Sequence, residues 1–260
     1  VILDRSYRLP QLIHGKANKL IKRVKDRVEK EWTSREEKGE INIHPVPQLN
    51  RLKNGKWLVL ARDRYHLDRL EEELKIEGVY YERNDETSIN KRVHEAILAW
   101  EDVRRGKSID IKRVRRIYTY LKTGEGVSKE HKGMKNADKE KLYNFDTLST
   151  QYGLLIDKDK PWFKALENIE SHKKTYVRMC LRRKENIRQG PRIKLSTIHG
   201  SKGSEADNVM LLTDLSRKSD EEYWKQRDSE RRVFYVGMTR ARNSLDIVRS
   251  QTDREFTEAF

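Results

Sequence analysis

The spacing of apolar residues changes twice along the chain, and these changes divide it into three stretches. Residues 1–84 and 191–260 combine short apolar runs typical of strands with the three- and four-residue spacings typical of helices. Residues 85–190 show helical spacing without a convincing strand. Strands that alternate with helices favour a layered fold. The outer stretches together therefore predict one α/β domain, and the middle stretch predicts an all-helical insertion.

The expected elements of the α/β stretches follow from runs bounded by turn residues. The clearest run is Trp57–Ala61, which is apolar throughout and typical of a buried parallel strand. Residues 41–46 alternate apolar and polar side chains, and Pro45 places this segment at a sheet edge or a strand end. The expected strands are 41–46, 57–61, 79–81, 193–198, 209–212 and 245–248. The expected helices are 12–28, 67–78 and 221–242, with a turn-like opening through Pro10 and a charged loop at 33–39.

The middle stretch carries most of the positive charge. Its net charge is +9, against +5 for residues 1–84 and +1 for residues 191–260. A basic field favours polyanions, nucleic acid first, although a Lys-rich solvated surface has the same composition. Its helical spacings cover 93–103, 109–121, 163–169 and 176–181, and a loop is expected at 124–139.

Composition excludes several classes of protein. The 260 residues carry 57 basic and 42 acidic groups, a net charge of +15. The single cysteine, Cys180, excludes an internal disulfide framework and zinc sites built on several cysteines, and it fits a reducing compartment such as the cytoplasm. No apolar run approaches the roughly 18 residues of a membrane span. Because the sequence starts at Val1 rather than at Met, we expect a piece of a longer protein.

The segment 4–10 pairs an aromatic ring with cations just before the first expected helix. Tyr7 would stack on a base, and Arg8 would bind phosphate oxygens with two hydrogen bonds. An ordinary helix-start loop with surface arginines explains the same residues.

The segment 196–207 follows an expected strand and is rich in Gly, Ser and Lys. Small residues let backbone N–H groups approach an anion, and Lys202 adds charge. It is not a Walker A loop, because no G-x-x-x-x-G-K-[ST] occurs in the chain. Glu205 would accept a hydrogen bond from a ribose hydroxyl rather than bind phosphate. His199 is either a core histidine or a phosphate donor, and without a second His or Cys at ligand spacing it does not indicate a metal site.

The segment 230–242 reads as a basic amphipathic helix. Its apolar face includes Val233, Val236 and Gly237, and Arg240 lies at the end of that face. An arginine held in this way can stabilise charge on a transferred phosphoryl group.

In this order, the segments resemble the motifs of UvrD/Rep/PcrA-like superfamily-one DNA helicases. STIHGSKGSEADNV resembles motif V, and ERRVFYVGMTRARNSL resembles motif VI, the most specific match. SYRLP and WLVLARDRYHLDRLEEELKIEGVYY resemble the start and the first strand–helix unit of the family's second motor domain. The resemblance implies that residues 1–84 plus 191–260 form a RecA-like motor domain and that residues 85–190 are its helical accessory insertion.

The resemblance also implies a nucleotide site. Arg8 and Arg240 would be the two catalytic arginines that reach the γ-phosphate of ATP. Tyr7 would stack on the adenine, Glu205 would contact the ribose, and Gly203 would lie in the nucleotide-binding loop. ATP and Mg²⁺ are the implied cofactors, with the Mg²⁺ ligands on another domain.

The implied single-stranded DNA track comprises Arg62, Thr197, His199 and Lys202. The partners implied by the family are single-stranded and duplex DNA and an N-terminal motor domain of the same protein. Lys202 belongs to the loop that links the DNA and nucleotide sites.

Departures from the family pattern limit what the chain can do alone. The Walker A loop and the Asp-Glu pair of the first motor domain are missing from these residues, and Ser204–Asp207 replaces the commoner Leu-Glu-Phe. We therefore expect part of a bacterial or phage DNA helicase that is inactive without its first motor domain. The alternative is a non-enzymatic nucleic-acid-binding or interaction module derived from the same fold.

Overall fold

The computed structural model describes residues 6–29, 31–135 and 137–260, and the chain divides into two compact units. The first unit holds the described residues up to Glu77 together with Tyr81–Asp85 and Pro191–Phe260. The second unit holds Gly78–Tyr80 and Glu86–Gly190. Residues 4 and 5 of the opening motif lie outside the described residues. No helix in the described part of the chain combines the length and the apolar character needed to cross a membrane.

The first unit is built from parallel strands and flanking helices. Its strands are β1 (Glu40–His44), β2 (Trp57–Ala61), β3 (Tyr81–Arg83), β5 (Ile193–Thr197), β6 (Ala206–Leu212) and β7 (Ala241–Val248), with the short β4 (Glu86–Thr87) following in the second unit. Its helices are α1 (Gln11–Ile21), α2 (Arg64–Ile76), α8 (Arg217–Lys225) and α9 (Arg227–Met238), with 3-10 turns at Arg51–Lys53 and Thr257–Ala259. The helices of the second unit are α3 (Lys91–Val103), α4 (Ile111–Tyr120), α5 (Phe145–Gln151), α6 (Trp162–Ala165) and α7 (Ser171–Arg182).

The six strands of the first unit lie in the order β1-β7-β6-β2-β5-β3, and all five pairings between neighbours are parallel. β2 lies inside the sheet between β6 and β5, and all five of its residues are buried. Such a strand must be apolar on both faces, because helices cover both sides of a parallel sheet. The predicted α/β fold is confirmed.

Helix α9 packs unusually close to the sheet. A Cβ built at Gly237 would lie 3.1 Å from Cδ1 of Leu211 on β6. The ring of Phe234 on the same helix stacks on Phe256 at 3.9 Å between centroids. The face of the segment 230–242 that carries these residues therefore belongs to the core, and the end of the helix is held in a fixed place.

Three expected elements differ from the structure, and in two of them a residue distant in the chain is the reason. The first helix ends at Ile21 instead of continuing to 28, because Asp228 on α9 accepts a hydrogen bond from the Lys25 backbone N–H at 2.9 Å and holds the chain in a turn. The expected helix 221–242 is two helices, broken at Gln226 with φ −135° and ψ 64°. The expected strand 79–81 begins only at Tyr81, because the Tyr176 hydroxyl donates to the Val79 carbonyl at 2.6 Å within the second unit.

The second unit has its own core and a charged cluster at its edge. Trp100, Tyr118 and Tyr143 are buried in the core. Asp102 is 6% exposed and forms ion pairs with Arg113, Lys107 and Arg188. Burial would raise the pKa of Asp102, but the ion pairs outweigh it and lower the pKa to about 2.

Replacing Asp102 by Asn should therefore lower the free energy of unfolding of the second unit only at pH values at which the Asp102 carboxylate is ionised. Because the folded pKa lies below the usual value near 3.9, the contribution is present at neutral pH and is lost as pH falls toward 2. We expect a loss of about 2 kcal/mol at pH 6 that shrinks at pH 3, measured by thermal unfolding. The exposed Asp159→Asn is the control, and a loss that does not change with pH would contradict this.

Candidate functional site

Two neighbouring parallel strands bring the second and third motifs together. The register pairs Ala206, the first residue of β6, with Ala241, the first residue of β7. Glu205 and Arg240 directly precede these residues, and the Ala206 N–H donates to the Arg240 carbonyl at 3.2 Å. The chain therefore delivers both residues to the amino ends of two adjacent strands.

Two arginines contact the carboxylate of Glu205, and a third lies beside them. Arg242 forms an ion pair with Oε1, and Nη1 of Arg8 lies 3.6 Å from Oε2. Arg240 donates from Nη1 to the Ser204 carbonyl at 3.2 Å. We call Arg8, Arg240, Arg242 and Glu205 the guanidinium cluster.

The electrostatics of the guanidinium cluster favour an anionic ligand. Burial is the main reason that the pKa of Arg240 is lowered, and the positive charge of Arg8 lowers it further. The hydrogen bond from Arg242 is the main reason that the pKa of Glu205 is lowered. Three cations therefore share one ionised carboxylate, and a second anion would relieve their repulsion.

A tight turn sets the position of Arg8. The Ser6 hydroxyl accepts hydrogen bonds from the backbone N–H groups of Arg8 at 3.4 Å and Leu9 at 3.1 Å, as short polar side chains often do in turns. The Ser6 N–H donates to the Thr33 carbonyl at 2.8 Å. Tyr7 is 82% exposed. A pocket of about 400 Å³ lies here, lined by Ser6, Tyr7, Arg8, Arg35 and Arg242.

Sequence reasoning missed two residues of this pocket. Arg35 lies in a segment expected to be a charged loop, yet its guanidinium donates to the Arg242 carbonyl and, at 2.8 Å, to Oδ1 of Asn243. Arg242 lies inside the third motif, but no role was predicted for it. Nothing in the sequence around Arg35 signals a partner 207 positions away.

The loop after β5 runs from the carboxyl ends of the strands to their amino ends, where the guanidinium cluster lies. Oγ1 of Thr197 accepts from the Gly200 N–H at 3.0 Å. Gly203 has φ +85°, a left-handed conformation that a side chain would strain. Lys202 and Gly203 are both exposed. The loop therefore starts at the carboxyl end of β5 and ends at Glu205, beside the arginines.

The family model of the UvrD-like helicase C-terminal domain matches residues 78–252, more than half of the chain. The chain belongs to this family. The RecA-like α/β fold implied by the resemblance is thereby confirmed. The matched range contains Gly203, Glu205 and Arg240, whereas Arg8 and Arg62 precede it. No curated protein matches the chain.

In this UvrD-like domain, Arg62 and Thr197, two of the residues predicted to contact DNA, lie at the carboxyl ends of neighbouring parallel strands. Ala61 on β2 pairs with Thr197 on β5, and Arg62 and Ile198 directly follow this pair. His199 is exposed, so it is not a core histidine. In open parallel sheets, ligands bind outside the carboxyl ends of the strands.

Arg62 is held by acidic side chains. Its Nε and Nη2 donate to the two carboxylate oxygens of Glu230 at 2.7 and 2.9 Å, and Glu222 lies 3.6 Å away. The hydrogen bonds that Arg62 donates to Glu230 are the main reason that the pKa of Arg62 is raised. A phosphate contact by Arg62 would therefore compete with the Glu230 pair.

Proposed function

We propose that this chain is the second motor domain, with its helical accessory unit, of an ATP-dependent helicase that moves on single-stranded DNA and unwinds duplex DNA. Its part in hydrolysis is to supply arginines to a nucleotide held mainly by a first motor domain. The guanidinium cluster carries the proposal, since Arg8 and Arg240 come from distant parts of the chain and lie beside one another.

The residues present fit the phosphate end and the base of ATP. Arg8 and Arg240 would both donate to the γ-phosphate, as the resemblance implies, and the guanidinium of Arg240 is held by two hydrogen bonds. The exposed ring of Tyr7 lines a pocket together with Arg8 and would stack on the adenine. Glu205 accepts from arginine in this structure, so a contact with ribose would use its remaining acceptor capacity. Mg²⁺ would be held by carboxylates of the first motor domain.

The proposed reaction, phosphoryl transfer from ATP, requires positive groups such as arginines near the transferred phosphate. The protein does little covalent chemistry in this reaction; catalysis comes from positioning and from stabilising charge on the transferred group. An arginine from a second domain completes the site only when the two domains close. Arg240 is suited to this task because two backbone carbonyls, of Val236 and Ser204, fix its guanidinium.

The loop from Thr197 to Glu205 would couple hydrolysis to DNA. It begins where single-stranded DNA would bind and ends in the guanidinium cluster, so closure around ATP would displace one end relative to the other. The helical insertion over residues 85–190, with a net charge of +9, would contact duplex DNA mainly through phosphates, with affinity that falls with salt. The single cysteine fits a reducing compartment, so we propose a cytoplasmic protein that is bacterial or phage-encoded.

The chain alone should not hydrolyse ATP above background, with or without single-stranded DNA, because it lacks the Walker A loop. A malachite-green phosphate assay measures this. Adding a purified first motor domain of the family, with its Walker A loop and Mg²⁺ ligands, should produce DNA-stimulated phosphate release.

Two outcomes would contradict the proposal. Clear turnover by the chain alone would mean that it contains a complete active site. Failure of every cognate first motor domain to restore turnover, together with intact DNA binding, would favour the non-enzymatic nucleic-acid-binding module.

A further inference from the structure

We propose that Arg242 is a positioning residue for the nucleotide site: it draws the Glu205 carboxylate to one side and so keeps Arg8 and Arg240 open to the terminal phosphate of a nucleoside triphosphate. This inference rests on the proposed function. It assigns to Glu205 the role of an internal counter-anion and to Arg242 the control of where that anion lies.

The two contacts of the carboxylate are unequal. Oε1 of Glu205 is in direct ion-pair contact with Nη2 of Arg242, whereas Oε2 lies 3.6 Å from Nη1 of Arg8. The Arg242 contact also meets the criteria for a hydrogen bond. A charge-assisted hydrogen bond is stronger than an ion pair without one. Glu205 is therefore held mainly by Arg242. The positive charge of Arg8 is only partly neutralised by Glu205 and can attract a second anion.

Arg242 is itself held in place by Arg35. The guanidinium of Arg35 donates to the Arg242 carbonyl and to Oδ1 of Asn243 at 2.8 Å. Glu37, 3.3 Å from Nε of Arg35, balances part of its charge. These contacts hold the backbone at the start of β7, and this limits how far the Arg242 side chain can move if Glu205 shifts.

Removing Arg242 would release the carboxylate toward its other neighbours. Arg8 and Arg240 are two other described cations that act on Glu205, and they are the two that the γ-phosphate needs. A released carboxylate would compete with phosphate for them, because both anions seek the same donors. Arg242 would thus promote phosphate binding through Glu205.

The test measures binding of inorganic tripolyphosphate and of ATP to the whole chain by titration calorimetry at low ionic strength. Arg242→Gln should weaken both ligands about five- to tenfold. Glu205→Gln should bind both at least as tightly as the original chain. The double variant, Glu205→Gln with Arg242→Gln, should return to within about twofold of Glu205→Gln, because Arg242 then has no carboxylate to hold.

A matched control separates position from charge. Arg217 lies exposed on α8 and pairs with Glu221, so Arg217→Gln removes the same charge elsewhere. We expect it to change tripolyphosphate affinity less than about twofold, since exposed charges are screened by salt. An equal loss in Arg217→Gln and Arg242→Gln would overturn the inference.

Three further results would also overturn it. If the double variant stays as weak as Arg242→Gln, Arg242 binds phosphate directly. If only ATP responds to the Glu205 change, the carboxylate acts on the nucleoside. If no variant binds tripolyphosphate, the arginines are not a phosphate site in this chain. Each is distinct from failure of the proposed function, which is judged by ATP turnover with a first motor domain.

Discussion

Replacing Arg240 by Ala is expected to lower the rate of ATP hydrolysis about 10³-fold in the motor formed with a Walker A-bearing first domain. Arginines that reach a transferred phosphoryl group in this way contribute about 10³–10⁵ in rate. The expected effect lies at the lower end, because Arg8 remains beside the site. The measurement is steady-state phosphate release with saturating ATP and single-stranded DNA.

The physical reason lies in how firmly the Arg240 guanidinium is held. Its Nε and Nη1 each donate to a backbone carbonyl at 3.2 Å. The remaining N–H groups of the planar guanidinium can donate to a ligand. Donors that are fixed before the reaction need no reorganisation as charge develops. Arg240→Lys keeps the positive charge but replaces the planar guanidinium by an ammonium group, so it should recover only part of the rate.

The control for Arg240 is Arg217→Ala, an exposed arginine of α8. It should leave the rate of ATP hydrolysis within about twofold, since surface substitutions rarely affect distant sites. Thermal unfolding of each variant separates lost catalysis from lost folding. A rate for Arg240→Ala within about tenfold of the original would show that this residue is not the catalytic arginine.

The buried parallel strand at the centre of the sheet could be predicted because its signal lies in local sequence. Five consecutive apolar residues at 57–61 specify a strand buried on both faces. The pairing of β6 with β7, which brings Glu205 and Arg240 together, was not predicted, because residues 241 and 242 were expected to continue a helix.

What the sequence did not predict depends on partners that are distant in the chain. α1 ends early because Asp228 binds the Lys25 N–H, and no pattern between 11 and 28 signals that contact. Arg35 is one of several charged residues in a loop, and only the fold places it against Arg242. The ion pair between Arg62 and Glu230 joins residues 168 positions apart, so the sequence around Arg62 did not indicate this partner.

A buried carboxylate ties the edge strand β1 to the rest of the sheet. Asp246 on β7 is 0% exposed. It accepts a hydrogen bond from Nδ2 of Asn42 at 3.0 Å, its Oδ2 forms an ion pair with Nε of Arg51 at 2.5 Å, and the same oxygen lies 3.4 Å from Nε2 of His44. Asn42 and His44 lie on β1, so one side chain connects the edge strand and the 3-10 turn that follows it.

Asp246→Ala is expected to destabilise the first unit by about 3 kcal/mol. Removing one partner of a buried ion pair leaves the other charge uncompensated, which costs about 3–5 kcal/mol in fully buried cases. Because a third of the Arg51 side chain is exposed and can reach water, we expect the lower end of that range. Urea unfolding followed by circular dichroism measures the change in the midpoint.

Two further variants show whether the lost charge pair is the cause. Adding Arg51→Ala to Asp246→Ala should recover part of the loss, since no uncompensated guanidinium then remains. Asp253→Ala, at an exposed acidic residue, should change the free energy of unfolding by less than about 0.5 kcal/mol. If Asp246→Ala costs no more than Asp253→Ala, the buried carboxylate does not hold the edge strand, and β1 must depend on its backbone pairing with β7 alone.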